Sequence, residues 1–144
     1  MKDYTDPRMH TAEHLLNQTM VRLFGCGRAF SSHIEKKKSK CDYKFTRALT
    51  PDEHAEIERR VNEAVRAGLP VTESFFSKEE AAGKFDLGRL PEGTGERLRV
   101  VLIGDYDACP CIGPHVNSTA EIGGFKIVSS SFKDGVLRIR FKLA

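Results

Sequence analysis

Near its start the chain reads DPRMHTAEHLLNQTMVRLFG, from Asp6 to Gly25. Aspartate is a favoured N-cap residue and proline a favoured first helical residue, so this pair predicts where a helix begins. Apolar residues recur at helical spacing along the stretch, and Gly25 marks its end. They are Met9, Ala12, Leu16, Met20 and Leu23. The stretch therefore predicts an amphipathic helix that packs on the rest of the fold.

The same helix carries two potential metal ligands. His10 and His14 are four residues apart, so they share a helix face, offset from the apolar stripe. Far along the chain Cys111 and His115 repeat this spacing. Zinc takes imidazole nitrogen and thiolate sulfur in tetrahedral geometry. The pattern predicts a zinc site that joins the two ends of the chain, with Cys109 as a rival thiolate.

A zinc peptidase is an alternative interpretation of the first pair. The segment from His10 to His14 fits the H-x-x-E-H pattern, in which Glu13 would act as the general base. Such enzymes complete the site with another acidic ligand on a much larger chain, whereas Cys111 and His115 offer a different completion. Glu13 is then expected to be an exposed acid on the helix.

Length and composition are those of a small globular protein. The 144 residues suit one domain, over residues 1–144, with a real core. No apolar run approaches the roughly 20 residues of a membrane helix, and the first residues lack a secretory signal. The expected location is the cytoplasm, where thiols stay reduced. Cys26 and Cys41 are interpreted as buried or incidental thiols.

The remaining pattern predicts helices mixed with hairpin-joined strands. Thr50 and Glu53 form a capping-box signature for a second helix that ends near Gly68. Asp134-Gly135 is a strong hairpin turn. Strands are predicted over 29–34, 40–45, 71–76, 98–103, 125–132 and 136–141, with a short helix over 77–83 and a loop over 87–95. The predicted fold class is α+β: a single domain with a mostly antiparallel sheet and packed helices.

Positive charge is concentrated in two segments although the net charge is only +3. Residues 33–47 hold six Lys or Arg against two acids, and residues 126–142 hold five against one. In the last strand apolar and basic residues alternate, so one face is apolar and the other basic. These segments suit contact with a polyanion, or they are simply the solvated faces of two hairpins.

Taken together, the motifs resemble the editing domain shared by alanyl- and threonyl-tRNA synthetases, in the short free-standing form of the AlaX alanyl-tRNA editing proteins. The paired HxxxH and CxxxH, followed by Glu-Ile-Gly, are the most specific part. The resemblance covers residues 10–16, 40–43, 49–51, 57–64, 69–71, 99–101, 111–116 and 121–127. One departure is Gly113-Pro114-His115, because alanine-type domains usually have Gly-Thr-His there and Gly-Pro-His looks threonine-type.

The resemblance implies a hydrolase that cuts the ester between a wrong amino acid and the 3′ end of tRNA. The implied substrate is Ser-tRNA(Ala), with Gly-tRNA(Ala) beside it, because a synthesis pocket for alanine rejects a near-isostere poorly. Ser-tRNA(Thr) is an alternative substrate. A zinc-stapled RNA-binding module without catalysis, and a hydrolase of another small ester or amide, are alternative functions.

The resemblance also suggests roles for individual residues. Ser31, Ser32 and His33 fall where related domains line the amino-acid pocket. Basic side chains are the candidates for tRNA phosphate contact. These are Lys36, Lys37, Lys38 and Lys40, with Arg138 and Arg140 second.

The catalytic group is not identified by spacing. A metal-bound water or a ribose hydroxyl is the candidate, and the zinc is catalytic if one ligand position opens and structural if all four ligands bind. Asp105 and Asp107 either orient the ligands from behind or cap the turn. No feature of the sequence selects an oligomeric state.

Overall fold

A computed structural model describes residues 6–77, 79 and 97–144. The first helix, α1, spans Pro7–Phe24. Asp6 caps it by accepting a hydrogen bond from the Met9 amide, and Gly25 ends it in the left-handed conformation at φ 65°. Both ends therefore lie where the sequence predicts. Over the described residues, no helix is long and apolar enough to cross a membrane.

The second helix, α2, spans Pro51–Arg66 and begins with the predicted capping box. Thr50 accepts from the Glu53 amide while the Glu53 carboxylate accepts from the Thr50 amide. The apolar face of α2 is buried against the rest of the core. Its buried residues are Ile57, Val61, Ala64 and Val65.

The strands of the described chain form two antiparallel sheets. The larger sheet has the order β1-β2-β7-β6, from β1 (Ser31–His33), β2 (Ser39–Lys44), β6 (Phe125–Lys133) and β7 (Val136–Leu143). The turn between β6 and β7 has positive φ at Asp134 (51°) and Gly135 (79°), as a type I′ hairpin requires. This confirms the predicted hairpin.

The smaller sheet has the order β3-β4-β5. Its strands are β3 (Val71–Ser77), β4 (Arg97–Ile103) and β5 (Asp107–Pro110). The sequence pattern did not predict β5, because its four residues carry no alternation of apolar and polar side chains. The short helix predicted over 77–83 and the loop predicted over 87–95 lie almost wholly outside the described residues.

The α+β class and the antiparallel pairing are confirmed. The inner face of the larger sheet packs against both helices, with Leu137, Ile139 and Phe141 fully buried. Helix α2 also covers the outer edge of β6: Asn62 bonds both the amide and the carbonyl of Phe125, and Glu58 accepts from the Ile127 amide at 2.6 Å. Side chains thus satisfy an edge strand that would otherwise expose its backbone.

Candidate metal centre

Four side chains from the two ends of the described chain meet in one cluster. One ligand atom from each of His10, His14, Cys111 and His115 lies within 4.8 Å of all the others. The Cys111 sulfur is 3.3 Å from His10 Nε2 and 3.7 Å from His115 Nε2. Ligand atoms about 2.0–2.3 Å from a tetrahedral zinc would lie roughly 3.3–3.8 Å apart. The two sulfur–nitrogen distances lie in this range, and three imidazoles with one thiolate are donors that zinc takes. Cys109 is half-buried and is not a member of the cluster.

His10 is oriented by a backbone carbonyl. Its Nδ1 lies 3.0 Å from the Pro114 oxygen, which can only accept a hydrogen bond. Nδ1 therefore carries the proton, and the lone pair of Nε2 faces the Cys111 sulfur. Pro114, the residue that departs from the alanine-type motif, thus supplies the acceptor that orients His10, a candidate ligand on α1.

His115 is oriented by a buried threonine of α1. The Thr11 hydroxyl donates to the Pro7 carbonyl at 2.8 Å and accepts from the Val116 amide at 3.2 Å. Its only hydrogen is therefore committed, so His115 Nδ1, 2.9 Å away, must be the donor. The Nε2 lone pair of His115 then also faces the cluster.

The turn that carries Cys111 is fixed by β4. The Cys111 amide donates to the Arg99 carbonyl at 3.1 Å. The Arg99 guanidinium donates to the carbonyls of Cys111 at 3.2 Å and Gly113 at 2.9 Å. Backbone and side chain of one residue thus hold the start and the middle of the segment from Cys111 to His115.

The protonation states within the cluster depend on one another. Burial disfavours the Cys111 thiolate, but the charged His14 ring beside the sulfur outweighs burial and lowers the pKa of Cys111 below that of a free thiol. Burial lowers the pKa of His115 to about 4. For His14 burial also works against the charge, but Asp107 and Cys111 raise its pKa to about 10. A metal would thus find a thiolate and would displace a proton from His14.

Glu13 does not lie where the sequence placed it. It is only 2% exposed, and its Oε1 is 3.8 Å from His10 Nε2. The expectation of an exposed helix acid is therefore wrong, because the face of α1 that carries the histidines is itself covered by the rest of the protein. Among the described residues no carboxylate joins the cluster, which disfavours the peptidase alternative.

The three residues proposed for the amino-acid pocket lie on β1 and divide between two faces. Ser32 is opposite Cys41 in the register, and its hydroxyl lies 3.6 Å from the buried Cys41 sulfur. Directly opposed residues point to the same side, so Ser32 faces the inner, helix-covered side of the sheet. Ser31 and His33 alternate with it and face outward, where His33 pairs with Glu35 at 2.7 Å.

The predicted tRNA contacts lie in the turn after β1 and on the outer face of the larger sheet. Three consecutive lysines, residues 36–38, are exposed. Lys40 is directly opposite Arg140, whose guanidinium also bonds Ser129 at 3.3 Å. Arg138 instead forms a two-bond ion pair with Asp42, at 2.7 and 2.9 Å. Arg138 is thus the predicted contact whose charge is already partnered.

Sequence reasoning missed the groups that orient the ligands. Thr11 lies between the two histidines of α1 but carries no metal-binding signal of its own. Arg99 and Arg28 are distant in sequence from the residues they act on, and single arginines have no diagnostic spacing. The sequence does not distinguish Asp107 from Asp105, whereas the structure buries Asp107 behind His14 and leaves Asp105 exposed.

Known proteins match this chain over nearly its whole length. Residues 98–140 match the family described as threonyl and alanyl tRNA synthetase second additional domain. The alanine–tRNA ligase of Aeropyrum pernix is 36% identical over 96% of this chain and 16% of its own length. The alanine–tRNA ligase of Fervidobacterium nodosum is 37% identical over 92% of this chain and 16% of its own length. That of Shouchella clausii is 40% identical over 90% of this chain and 15% of its own length.

The matched class is, by its description, an additional domain of threonyl and alanyl tRNA synthetases. The chain belongs to the AlaX-like editing domains that alanyl- and threonyl-tRNA synthetases share. It spans only about a sixth of the length of these relatives, since the matched shares are 15–16%.

Proposed function

We propose that this chain is a zinc-dependent deacylase that edits mischarged tRNA. The reaction adds water across the ester between the amino acid and the 3′ ribose, releasing the free amino acid and a tRNA with its hydroxyl restored. The observation that carries the proposal is the cluster of buried His10, His14 and Cys111 with half-buried His115, in a chain that belongs to an editing-domain family. Residues 1–144 are proposed to act as one domain, because ligands from α1 and from the segment after β5 form one site.

The four ligands would hold the ion, and the groups behind them would keep each donor aimed at it. When bound, zinc supplies Lewis acidity for the carbonyl oxygen of the ester. Thr11 and the Pro114 carbonyl each hold one imidazole proton away from the cluster, so that the opposite nitrogen stays available. Burial of His10, His14 and Cys111 limits the access of bulk solvent to these three side chains.

The proposed substrate is Ser-tRNA(Ala), with Gly-tRNA(Ala) as a second substrate. Ser32 is the pocket residue that best fits this role, since it alone of the three β1 candidates faces the inner side of the sheet. A hydroxyl there offers serine a partner that alanine cannot use, and such hydrogen bonds discriminate strongly. Ser-tRNA(Thr) remains the alternative, favoured by Pro114 in the ligand turn.

The proposed tRNA surface consists of residues 36–38, Lys40 and Arg140. Exposed ammonium and guanidinium groups contact phosphates without reading sequence, and each contact adds about 0.9 to the slope of log affinity against log salt. Replacing Lys36, Lys37 and Lys38 by Ala should weaken tRNA binding and make the fall of log affinity with log salt less steep. Lys133→Ala, at the opposite end of the sheet, is the control. An unchanged slope in the triple variant excludes this surface.

The activity is tested by an assay matrix with purified, zinc-loaded protein. Ser-, Gly- and Ala-tRNA(Ala) are compared with Ser-tRNA(Thr), and release of the amino acid is measured. Wild type should deacylate Ser-tRNA(Ala) fastest and spare Ala-tRNA(Ala). His10→Ala should fall to background while keeping its fold, whereas His54→Ala on α2, which bonds Ser130, should retain activity.

A second candidate function is a zinc-stapled RNA-binding module. Four protein ligands close a tetrahedral site, which is the usual mark of structural zinc. This candidate predicts that wild type and His10→Ala release serine at the same background rate while wild type still binds tRNA.

For the editing function we propose a cytoplasmic location, where tRNA is charged.

A further inference from the structure

A carboxylate lies behind one of the four proposed ligands. Asp107 opens β5, is 4% exposed, and places Oδ2 3.4 Å from His14 Nδ1. This distance is long for a hydrogen bond, so the attraction is mainly electrostatic. The other two imidazoles face uncharged acceptors, the Pro114 carbonyl and the Thr11 hydroxyl. Among the three imidazoles of the cluster, His14 is thus the one with an anion behind its outer nitrogen.

Asp107 is itself fixed by two side chains that are not ligands. The Arg28 guanidinium donates to Oδ1 at 2.7 Å and to Oδ2 at 3.2 Å. Gln18 of α1, one turn beyond His14, donates to Oδ1 at 2.9 Å. A guanidinium with two bonds to a carboxylate fixes the plane of both groups. The carboxylate that faces His14 is therefore held in place by two side chains, one on α1 and one in the segment after it.

We propose that Asp107 is a positioning residue for His14 and that Arg28 acts on the same ligand through Asp107. Asp107 holds the Nδ1 proton of His14 on the outer side of the ring, which leaves the Nε2 lone pair facing the cluster. A carboxylate behind an imidazole also makes it a stronger donor to a metal. The inference rests on the proposed metal site and extends it to residues that touch neither metal nor substrate.

The test measures metal affinity directly, without tRNA. Metal-free protein is titrated with Zn²⁺ and Co²⁺ in competition with a coloured chelator. Asp107→Asn keeps the shape but removes the charge, and its dissociation constant should rise about 10–100-fold. Asp105→Asn is the matched control, because that exposed carboxylate on the same turn should leave the constant unchanged.

Arg28 provides the second arm of the test. Arg28→Met should weaken metal binding less than Asp107→Asn, and Arg28→Lys should lie between Arg28→Met and wild type. If Arg28 acts through Asp107, the double variant with Asn at 107 and Met at 28 binds metal no more weakly than Asp107→Asn alone. The visible bands of bound Co²⁺ should change in Asp107→Asn and not in the Asp105 control, which reports ligand geometry rather than fold.

Circular dichroism of the metal-free variants separates positioning from folding. A purely structural ion pair would lower the melting temperature and leave the metal dissociation constant of the folded protein unchanged. If Asp107→Asn does not fold, the test is the comparison of metal dissociation constants among wild type, Arg28→Lys and Arg28→Met. Loss of an outer partner is expected to change the metal dissociation constant about 10–100-fold. If folded variants stay within about twofold of wild type, this inference is overturned and the proposed zinc site is not. Wild type that binds neither ion overturns it together with the proposed zinc site.

Discussion

The two halves of the proposed metal site have the same sequence spacing but different physical origins. His10 and His14 share a face because α1 is a regular helix with a cap at each end. Cys111 and His115 lie in a segment with no regular helix or strand, where Arg99, Thr11 and backbone bonds determine the geometry. One pair is therefore preformed by local structure, whereas the other depends on contacts between distant parts of the chain.

Loss of a ligand should have the largest effect. Cys111→Ser replaces a thiolate with a hydroxyl that zinc binds poorly, so zinc affinity should fall by more than about 100-fold, beyond the range for lost outer partners. Chelator competition measures the change. Cys109→Ser is the matched control and should bind zinc like wild type; the reverse result would assign the site to Cys109.

Removing the hydroxyl that links the two halves should have the next largest effect. Thr11→Val keeps the shape but leaves the Val116 amide and the His115 ring without their acceptor. Zinc affinity should fall roughly 10-fold or more, and unfolding free energy by roughly 1–3 kcal/mol. Thr11→Ser should restore both in chelator competition and urea unfolding. Equal behaviour of the Val and Ser variants would show that the hydroxyl does not couple the halves.

Weakening the loop half alone should have a smaller effect. Arg99→Met removes the donor to the carbonyls of Cys111 and Gly113 while leaving α1 intact. We expect a loss of roughly 1–3 kcal/mol in unfolding free energy and a drop in zinc affinity below about 10-fold. Arg59→Met on the exposed face of α2 makes the same chemical change at surface ion pairs, which solvent screens, and should lower the unfolding free energy far less. Equal losses in the two variants would contradict the role of Arg99.

The smallest expected change is a local one in hydrogen exchange when the metal is removed, and it should differ between the halves. After chelation, backbone amides of residues 111–116 should exchange hydrogen faster, because the metal ion that ties this segment to α1 is gone. Amides in the middle of α1 should change little, since their bonds lie within the helix. Hydrogen exchange with mass spectrometry compares the two segments. Equal acceleration in both would show that α1 also depends on the ion.

Local signals were enough for the helices and the hairpin. Asp6 and Gly25 mark the two ends of α1, and Thr50 and Glu53 cap the start of α2, as predicted. Asp134-Gly135 forms the turn of the β6–β7 hairpin, also as predicted. These predictions succeed because capping and turn chemistry act within a few residues. The predicted strand over 29–34 shortens to Ser31–His33, and β5 was missed, because strand length is set by the partner strand rather than by the strand's own residues.

The surroundings of the site could not be predicted in the same way. Glu13 was expected at the surface and is buried, because the ligand-bearing face of α1 is covered by a segment far away in sequence. Arg28 and Asp107 meet across the fold with no recognisable spacing. The division of Ser31, Ser32 and His33 between two sheet faces depends on the register with β2.

The sequence by itself determined the two pairs of candidate ligands, the ends of both helices and the family, because each depends on residues close together along the chain. Only the tertiary structure decided that the pairs meet, which nitrogen of each imidazole faces the cluster, and which charges are already partnered. The physical reason is that hydrogen bonds and ion pairs between distant segments exist only once packing has brought those segments together.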